Sequence, residues 1–359
     1  LSWFFRIVFC LHIFFPLTYI QGTDHPKNII ILIGDGMGLN YVAANVLMHS
    51  DNPFRKFTSV GLSITRSIDK LITDSGAAAT AIATGYPTKN HYISVDTTYN
   101  SLLTVFEYAQ KSGLETGLVV TDNIPGATPA AFYAHQKSRR NYFDIAKQII
   151  RSNLKVAIGG GKKFYLPLEK GGSREDSIDL IEELQSRDYK ICYNFNDLAE
   201  SSPYDKLIGL LSFEGLPVAE ERNYTLGNLT SIAIEHLNTN NNGFVMLVEG
   251  SQIDWAGHDT NYVYLLSELE DFSSAVETSL AFAENDGNTL VVVTSDHETG
   301  GMTITGGSFN ADSLKIEFIG THHTAGMVGV FAFGPGSELF NGIYDIYMIG
   351  RKLFKLLDK

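Results

Sequence analysis

The sequence predicts an α/β fold, with a central, mostly parallel sheet flanked by helices on both faces as a three-layer sandwich. Short runs of Val, Ile and Leu ending in Gly or Asp alternate with longer stretches of helical periodicity, the pattern of strands joined by crossover helices. Several of these runs are apolar throughout rather than alternating, as strands covered on both faces must be. No unit of solenoid size repeats along the chain.

In order, the first strand is expected at Asn28–Ile33, ahead of the turn Gly34-Asp35-Gly36, and a helix over Gly38–Met48. In "TDSGAAATAIATG" an acid and a serine precede a run of very small residues, an ordinary helix start over Ser75–Thr84. Further helices are expected at Leu102–Lys111, Tyr142–Arg151, Ile178–Gln185, Leu226–Leu237, Tyr262–Ala283 and Gly342–Leu356. Strands are expected at Gly117–Thr121, Lys155–Ile158, Phe244–Val248, Thr289–Thr294 and Met327–Phe333. "EKGGSRED" near Glu169 reads as a surface loop and Asn238–Gly243 as a turn. Neither shift in composition is large enough for a domain boundary, so residues 23–359 are expected to form one domain.

The first 22 residues are different. An apolar segment with Arg6 near its start breaks at Pro16 and gives way to polar sequence. It reads as a secretory signal, with an uncleaved N-terminal anchor as the alternative. Cleaved, it implies an exported, periplasmic or extracellular protein; uncleaved, one anchored to the membrane by this segment. Without this segment, and so without Cys10, Cys192 is the single cysteine, and stability must come from packing and bound metal rather than a disulfide. A net charge of −13 argues against nucleic acid as a partner. Such a chain binds an anion only where a local positive device overrides the global field.

Ligands of open α/β sheets bind beyond the carboxyl ends of the strands. Here one strand ends in Asp35, another in Glu249 and a third in Asp296-His297, bringing acids to one edge. Asp254 and His258, four apart in "VEGSQIDWAGHDTN", are spaced to share one metal. Each motif alone has an ordinary reading: a capped helix, a turn, or a packed His beside a solvated Asp. Together they place uncompensated negative charge behind hydrophobic strands, which is costly without a cation. Mixed Asp/His ligation suits Zn²⁺, and an all-oxygen set suits Mg²⁺.

The segments "ILIGDGMG", "TDSGAAATAIATG", "GATPAAFYAHQKSR", "AIGGGKKF", "VEGSQIDWAGHDTN", "VTSDHETGG" and "HTAGMVGVFAFGPG" together resemble the alkaline phosphatases, in the family's order and over nearly all of the chain. The resemblance implies a phosphomonoester hydrolase that works through a phosphoserine, with two zinc ions and one magnesium. It implies that Asp254, His258 and His323 hold the first zinc, and that Asp35, Asp296 and His297 hold the second with Ser75 beside it. Asp35, Thr128 and Glu249 would hold the magnesium. Ser75 would be the nucleophile and Arg139 the phosphate clamp, with Arg140 the competing choice; His322 competes in the same way with His323. Homodimerisation and small phosphomonoester substrates are likewise implied.

Three departures from the family pattern matter. Gly126 stands where members carry Asp or His, which leaves the magnesium site expected to be weaker, more exchangeable or different. Trp255 stands where some members have Lys or His and others Trp, and an indole offers one N–H donor and no charge to a phosphate. The stretch between Thr299 and His322 is short, which predicts a compact subunit without an extended dimer crown. Among related enzymes, a sulfatase would need Pro and Arg shortly after the nucleophile, which Ser75-Gly-Ala-Ala-Ala lacks. A phosphodiesterase would dispense with Arg139.

Overall fold

A computed structural model describes residues 25–308 and 313–358; the expected signal or anchor segment lies outside the described residues. Ten strands form the main sheet: β1 (Asn28–Gly34), β2 (Ser59–Ile64), β3 (Glu115–Asn123), β4 (Val156–Gly160), β5 (Tyr189–Cys192), β6 (Lys206–Leu210), β7 (Phe244–Gly250), β8 (Thr289–Thr294), β13 (Val328–Phe333) and β14 (Gly342–Asp345). Between β8 and β13 lie four short strands in two antiparallel ladders: β9 (Glu298–Thr299) with β12 (His323–Thr324), and β10 (Thr303–Gly307) with β11 (Leu314–Glu317). The order across the main sheet is β14-β2-β13-β8-β1-β7-β3-β4-β6-β5. All pairings are parallel except those of β13 with β2 and β8.

The helices are α1 (Leu39–Met48), α2 (Ser75–Thr84), α3 (Val105–Lys111), α4 (Ala127–Tyr133), α5 (Tyr142–Gln148), α6 (Leu180–Gln185), α7 (Phe195–Ala199), α8 (Leu226–Leu237), α9 (Gln252–His258), α10 (Tyr262–Asp286) and α11 (Tyr347–Leu357). Alternate residues of each central strand feed opposite cores. Ile29, Ile31 and Ile33 join Leu118, Leu247 and Val292 under α2, α4 and α11. Ile30 and Leu32 join Val119, Met246 and Val291 under α1, α8 and α10. That two-sided burial, about 2 kcal/mol per large aliphatic side chain, is why these strands are apolar throughout.

The small residues of α2 are explained here. All ten are buried, and the helix packs against α4 and α11. At Gly350 of α11, a Cβ would lie 2.5 Å from the Gly85 nitrogen that ends α2. Larger side chains would force these helices apart. Among the described residues, no helix is long and apolar enough to cross a membrane.

Some expectations are corrected. Gly342–Asp345 is not the start of the last helix but β14, which pairs with β2 in parallel register; the β-branched Ile343 and aromatic Tyr344 fit the pleat, and α11 begins at Tyr347. Strands β2, β5 and β6 were not expected, because they lie toward the sheet margins, where β2 alternates inward and outward. The loop near Glu169 is not wholly on the surface. Its Arg174 is fully buried and donates to the carbonyls of Phe143 and Phe164, while pairing with Asp176.

Candidate functional site

Asp35, Glu249 and Asp296 sit at the carboxyl ends of β1, β7 and β8, which are adjacent and parallel, with Ile33 in register with both Glu249 and Thr294. The expected convergence of acids is therefore a consequence of strand order. Asp35 is followed by Gly36 at φ +68°, where a Cβ would stand 2.8 Å from Asp254 Oδ1. That glycine lets the turn lie against α9. Its backbone N–H donates to Asp296 Oδ1 at 3.1 Å, and the His297 N–H donates to the same atom at 2.9 Å.

Ser75 is the first residue of α2, and Asp74 is its N-cap, accepting from the Ala77 N–H. The Ser75 hydroxyl lies 3.3 Å from His297 Nε2. Around that same nitrogen are Asp296 Oδ2 at 3.2 Å and Asp35 Oδ1 at 3.4 Å. One N–H cannot serve three oxygens, and both carboxylate oxygens are buried without a hydrogen-bond partner. Burial, and then the charges of Asp296, Asp254 and Glu249, push the Asp35 carboxyl well above its ordinary range. Burial likewise holds His297 below its ordinary value.

On the other side of Asp254, two imidazoles face one another. His258 Nε2 lies 3.2 Å from His323 Nε2, with Asp254 oxygens 3.3 Å and 3.6 Å from them. Each Nδ1 lies against a backbone carbonyl, Thr321 at 2.6 Å and Thr73 at 3.0 Å. A carbonyl can only accept, so each Nδ1 donates, which leaves both Nε2 atoms facing one another beside Asp254. The backbone carbonyls orient both rings so that their Nε2 atoms converge, a geometry that suits a shared cation. The hydrogen bond that His258 gives to the Asp254 carboxylate pushes its pKa up to about 9.

Ligand atoms of Asp254, His258 and His323 lie within 4.8 Å of one another, as do those of Asp35, Asp254 and His297. Asp254 thus stands between the two clusters, a placement the spacing did not reveal. A third group is all oxygen. Glu249 Oε2 and Thr128 Oγ1 are both buried and without a hydrogen-bond partner, and Glu249 is pushed up to about 8 by burial, then by the Asp122 charge. The donor sets suit the metals expected of them: nitrogen and oxygen for zinc, oxygen alone for magnesium.

Arg139 donates to Asp74 Oδ2 at 3.2 Å, and its electrostatic partners include Asp35. It faces the site, while Arg140 is exposed. Between the neighbouring histidines, His323 joins the ligand cluster and His322 is exposed. Trp255, 39% exposed, lies at the rim on α9, its ring 2.9 Å from the position of a Cβ on Gly215. His91 Nδ1 lies 3.2 Å from Asp74 Oδ2, His135 meets Glu107, and His236 meets Ser201, so these histidines have structural partners. Two residues near the site were missed. Thr299 hydrogen-bonds Asp254 and lies 3.3 Å from His297 Nδ1; a lone Thr after "DHE" carries no signal. Asp122 lies at the carboxyl end of β3, on the edge where Asp35 follows β1, and that position was the available signal.

The family profile described as Alkaline phosphatase matches residues 26–317. The chain belongs to the alkaline phosphatase family. It is 38% identical over 300 residues to alkaline phosphatase 3 of Bacillus subtilis, covering 78% of this chain and 63% of that protein. Alkaline phosphatase of Escherichia coli is 31% identical, covering 77% of this chain and 71% of that one. The chain thus spans a little under two thirds of the Bacillus relative's length. Alkaline phosphatase from the Antarctic bacterium TAB5 superposes with a TM-score of 0.86 at 38% identity, covering 93% of this chain and 98% of that one. A variant of the TAB5 enzyme carries Mg in its M3 site.

Proposed function

We propose that this member of the alkaline phosphatase family is a metal-dependent phosphomonoester hydrolase acting through a phosphoserine at Ser75. The observation that carries the reading is the Ser75 hydroxyl set beside His297 Nε2, among carboxylate oxygens that lack hydrogen-bond partners. Asp254, His258 and His323 would hold one zinc; Asp35, Asp296 and His297, with Ser75, a second; Asp35, Thr128 and Glu249 a magnesium. Bound there, the metals would supply positive charge for the phosphate and lower the pKa of the serine hydroxyl.

The chain's own groups divide the remaining work. Ser75 Oγ forms a bond to phosphorus in line with the ester oxygen, whose bond breaks as the alcohol leaves with a proton. Water then attacks the phosphoserine from the same side the alcohol left, releasing inorganic phosphate and restoring the Ser75 hydroxyl. Arg139 offers a planar fork to two phosphate oxygens and is aimed by Asp74. The positive end of the α2 dipole favours the anion at Ser75. The ligand clusters also answer the net charge of −13: local cations override the acidic field.

Hydrolysis of a nitrophenyl monoester, diester and sulfate, before and after chelation, tests the reading. Monoester hydrolysis should dominate and be chelator-sensitive; a preference for diester or sulfate would refute it. Acid quench with labelled phosphate should leave label on Ser75 and none on Ser75→Ala, whose turnover should fall by ~10⁴-fold or more. Export is inferred from the apolar segment at residues 3–20, and homodimerisation from the family resemblance. Fractionation and sedimentation test these.

A further inference from the structure

His91 holds a left-handed backbone, with φ +73°. That conformation is costly for a residue other than glycine and persists only where its surroundings enforce it. Here the enforcing contacts run to Asp74 and Arg139. The His91 N–H donates to both oxygens of Asp74, to Oδ1 at 3.0 Å and to Oδ2 at 3.1 Å. The His91 carbonyl accepts from the Arg139 backbone N–H at 2.8 Å. Asp74 Oδ2 in turn accepts from Arg139 Nη1 at 3.2 Å. The contacts close into a ring: His91 holds the backbone of Arg139 directly and its guanidinium through Asp74.

The preceding residue braces the same segment. Asn90 Oδ1 accepts from the Asp74 N–H at 3.3 Å, and the Asn90 amide donates to the Ile72 carbonyl at 3.2 Å. The imidazole of His91 contributes less. Its Nδ1 lies 3.2 Å from Asp74 Oδ2, but the side chain is 57% exposed, and exposed pairs of this kind are worth little. The backbone bonds to a buried carboxylate are the stronger, charge-assisted contacts. They depend on φ: with the carbonyl kept on Arg139, a turn to negative φ swings the N–H away from Asp74.

We propose that His91 is a positioning residue for phosphate binding: its left-handed backbone sets both ends of Arg139, the main chain directly and the guanidinium by way of Asp74. The proposal rests on reading Arg139 as the phosphate clamp. The strain at position 91 is then the cost of holding that clamp in place before phosphate arrives. A residue that cannot adopt positive φ should loosen the clamp, and glycine, which adopts it freely, should not.

Calorimetric titration of the metal-loaded protein with inorganic phosphate tests it. His91→Val places a β-branched residue at positive φ and should raise the phosphate Kd about tenfold. His91→Gly, which loses the imidazole but keeps the conformation, should stay within about twofold of wild type. On an Arg139→Ala background, His91→Val should add less than about twofold, because its effect runs through Arg139. A lower Tm with an unchanged phosphate Kd in His91→Val marks a purely structural role and overturns the proposal, as does a full tenfold effect that persists without the Arg139 side chain. Should His91→Val not fold, His91→Ala carries a milder form of the same strain and should bind phosphate about threefold more weakly than His91→Gly; equal values overturn the proposal. Arg139→Ala alone separates the two levels: if it leaves phosphate binding unchanged, the clamp reading itself fails, and the role of His91 with it.

Discussion

Arg139 donates through Nη1 to Oδ2 of Asp74, the residue immediately before Ser75, at 3.2 Å. The acid that caps the nucleophile's helix therefore also aims the guanidinium toward the nucleophile. Asp74 keeps its charge because the Arg139 cation and the N–H groups of His91 and Ala77 outweigh its burial, holding its pKa below the ordinary range.

Arg139→Ala should raise KM and weaken inhibition by inorganic phosphate, each about 10- to 100-fold, the worth of a charge-assisted bidentate contact. Asp74→Asn retains a cap acceptor for Ala77 and should have a smaller effect in the same direction. Steady-state kinetics with phosphate as inhibitor checks both. Equal phosphate inhibition in wild type and Arg139→Ala would remove Arg139 from the clamp.

Metal removal should make stability strongly pH-dependent. Glu249 rises from 4.5 to about 8 in the metal-free fold, so the folded state binds the extra proton and stability declines as pH climbs toward 8. His258, raised to about 9, likewise contributes stability that is present at low pH and lost as pH rises through 9. His297 is lowered, and works in the opposite sense below its unfolded value of about 6.5. Between about pH 6.5 and 8 the first two effects prevail. The Tm of chelated protein should fall across that window, and added Zn²⁺ and Mg²⁺ should restore it; a flat profile would contradict the assignment.

Trp255→Lys should tighten inhibition by inorganic phosphate roughly fivefold, since an exposed cation beside the site is worth about 1 kcal/mol. The half-exposed ring at the rim over Gly215 can be replaced without opening the core. If phosphate release limits turnover, kcat should drop in parallel. An unchanged inhibition constant would count against a role for Trp255 in product release.

Arg222→Met should destabilise the fold by about 3 kcal/mol. The Arg222 side chain is fully buried and lies 2.8 Å from Asp271 and 3.5 Å from Glu268 on α10, and its removal leaves both acids facing an apolar group. Glu268, pushed up to about 7 chiefly by burial, relieves part of the loss by taking a proton. Urea unfolding should show a lower midpoint with an unchanged slope.

The central strands were legible because burial on both faces demands unbroken Val, Ile and Leu, as in β1 and β8. β2 and β5 were not, because a strand covered less completely carries a mixed pattern that local sequence does not distinguish from a loop; β6 is buried, but its apolar run is short and interrupted by Gly209. In the site, Asp35, Asp254, His258 and Asp296-His297 stood out through spacing and strand ends. Thr299 did not, because its hydrogen bond to Asp254 spans two distant segments.

Residue types and spacing thus determined the sandwich, the acidic edge, the Asp-x-x-x-His pair and the small-residue helix behind Ser75. Tertiary structure decided which of His322 and His323 meets His258 and which of Arg139 and Arg140 turns inward. Local periodicity records how much of an element is buried. It does not record which side chains from separate elements meet, because that depends on strand order, register and the turns that set each residue's direction.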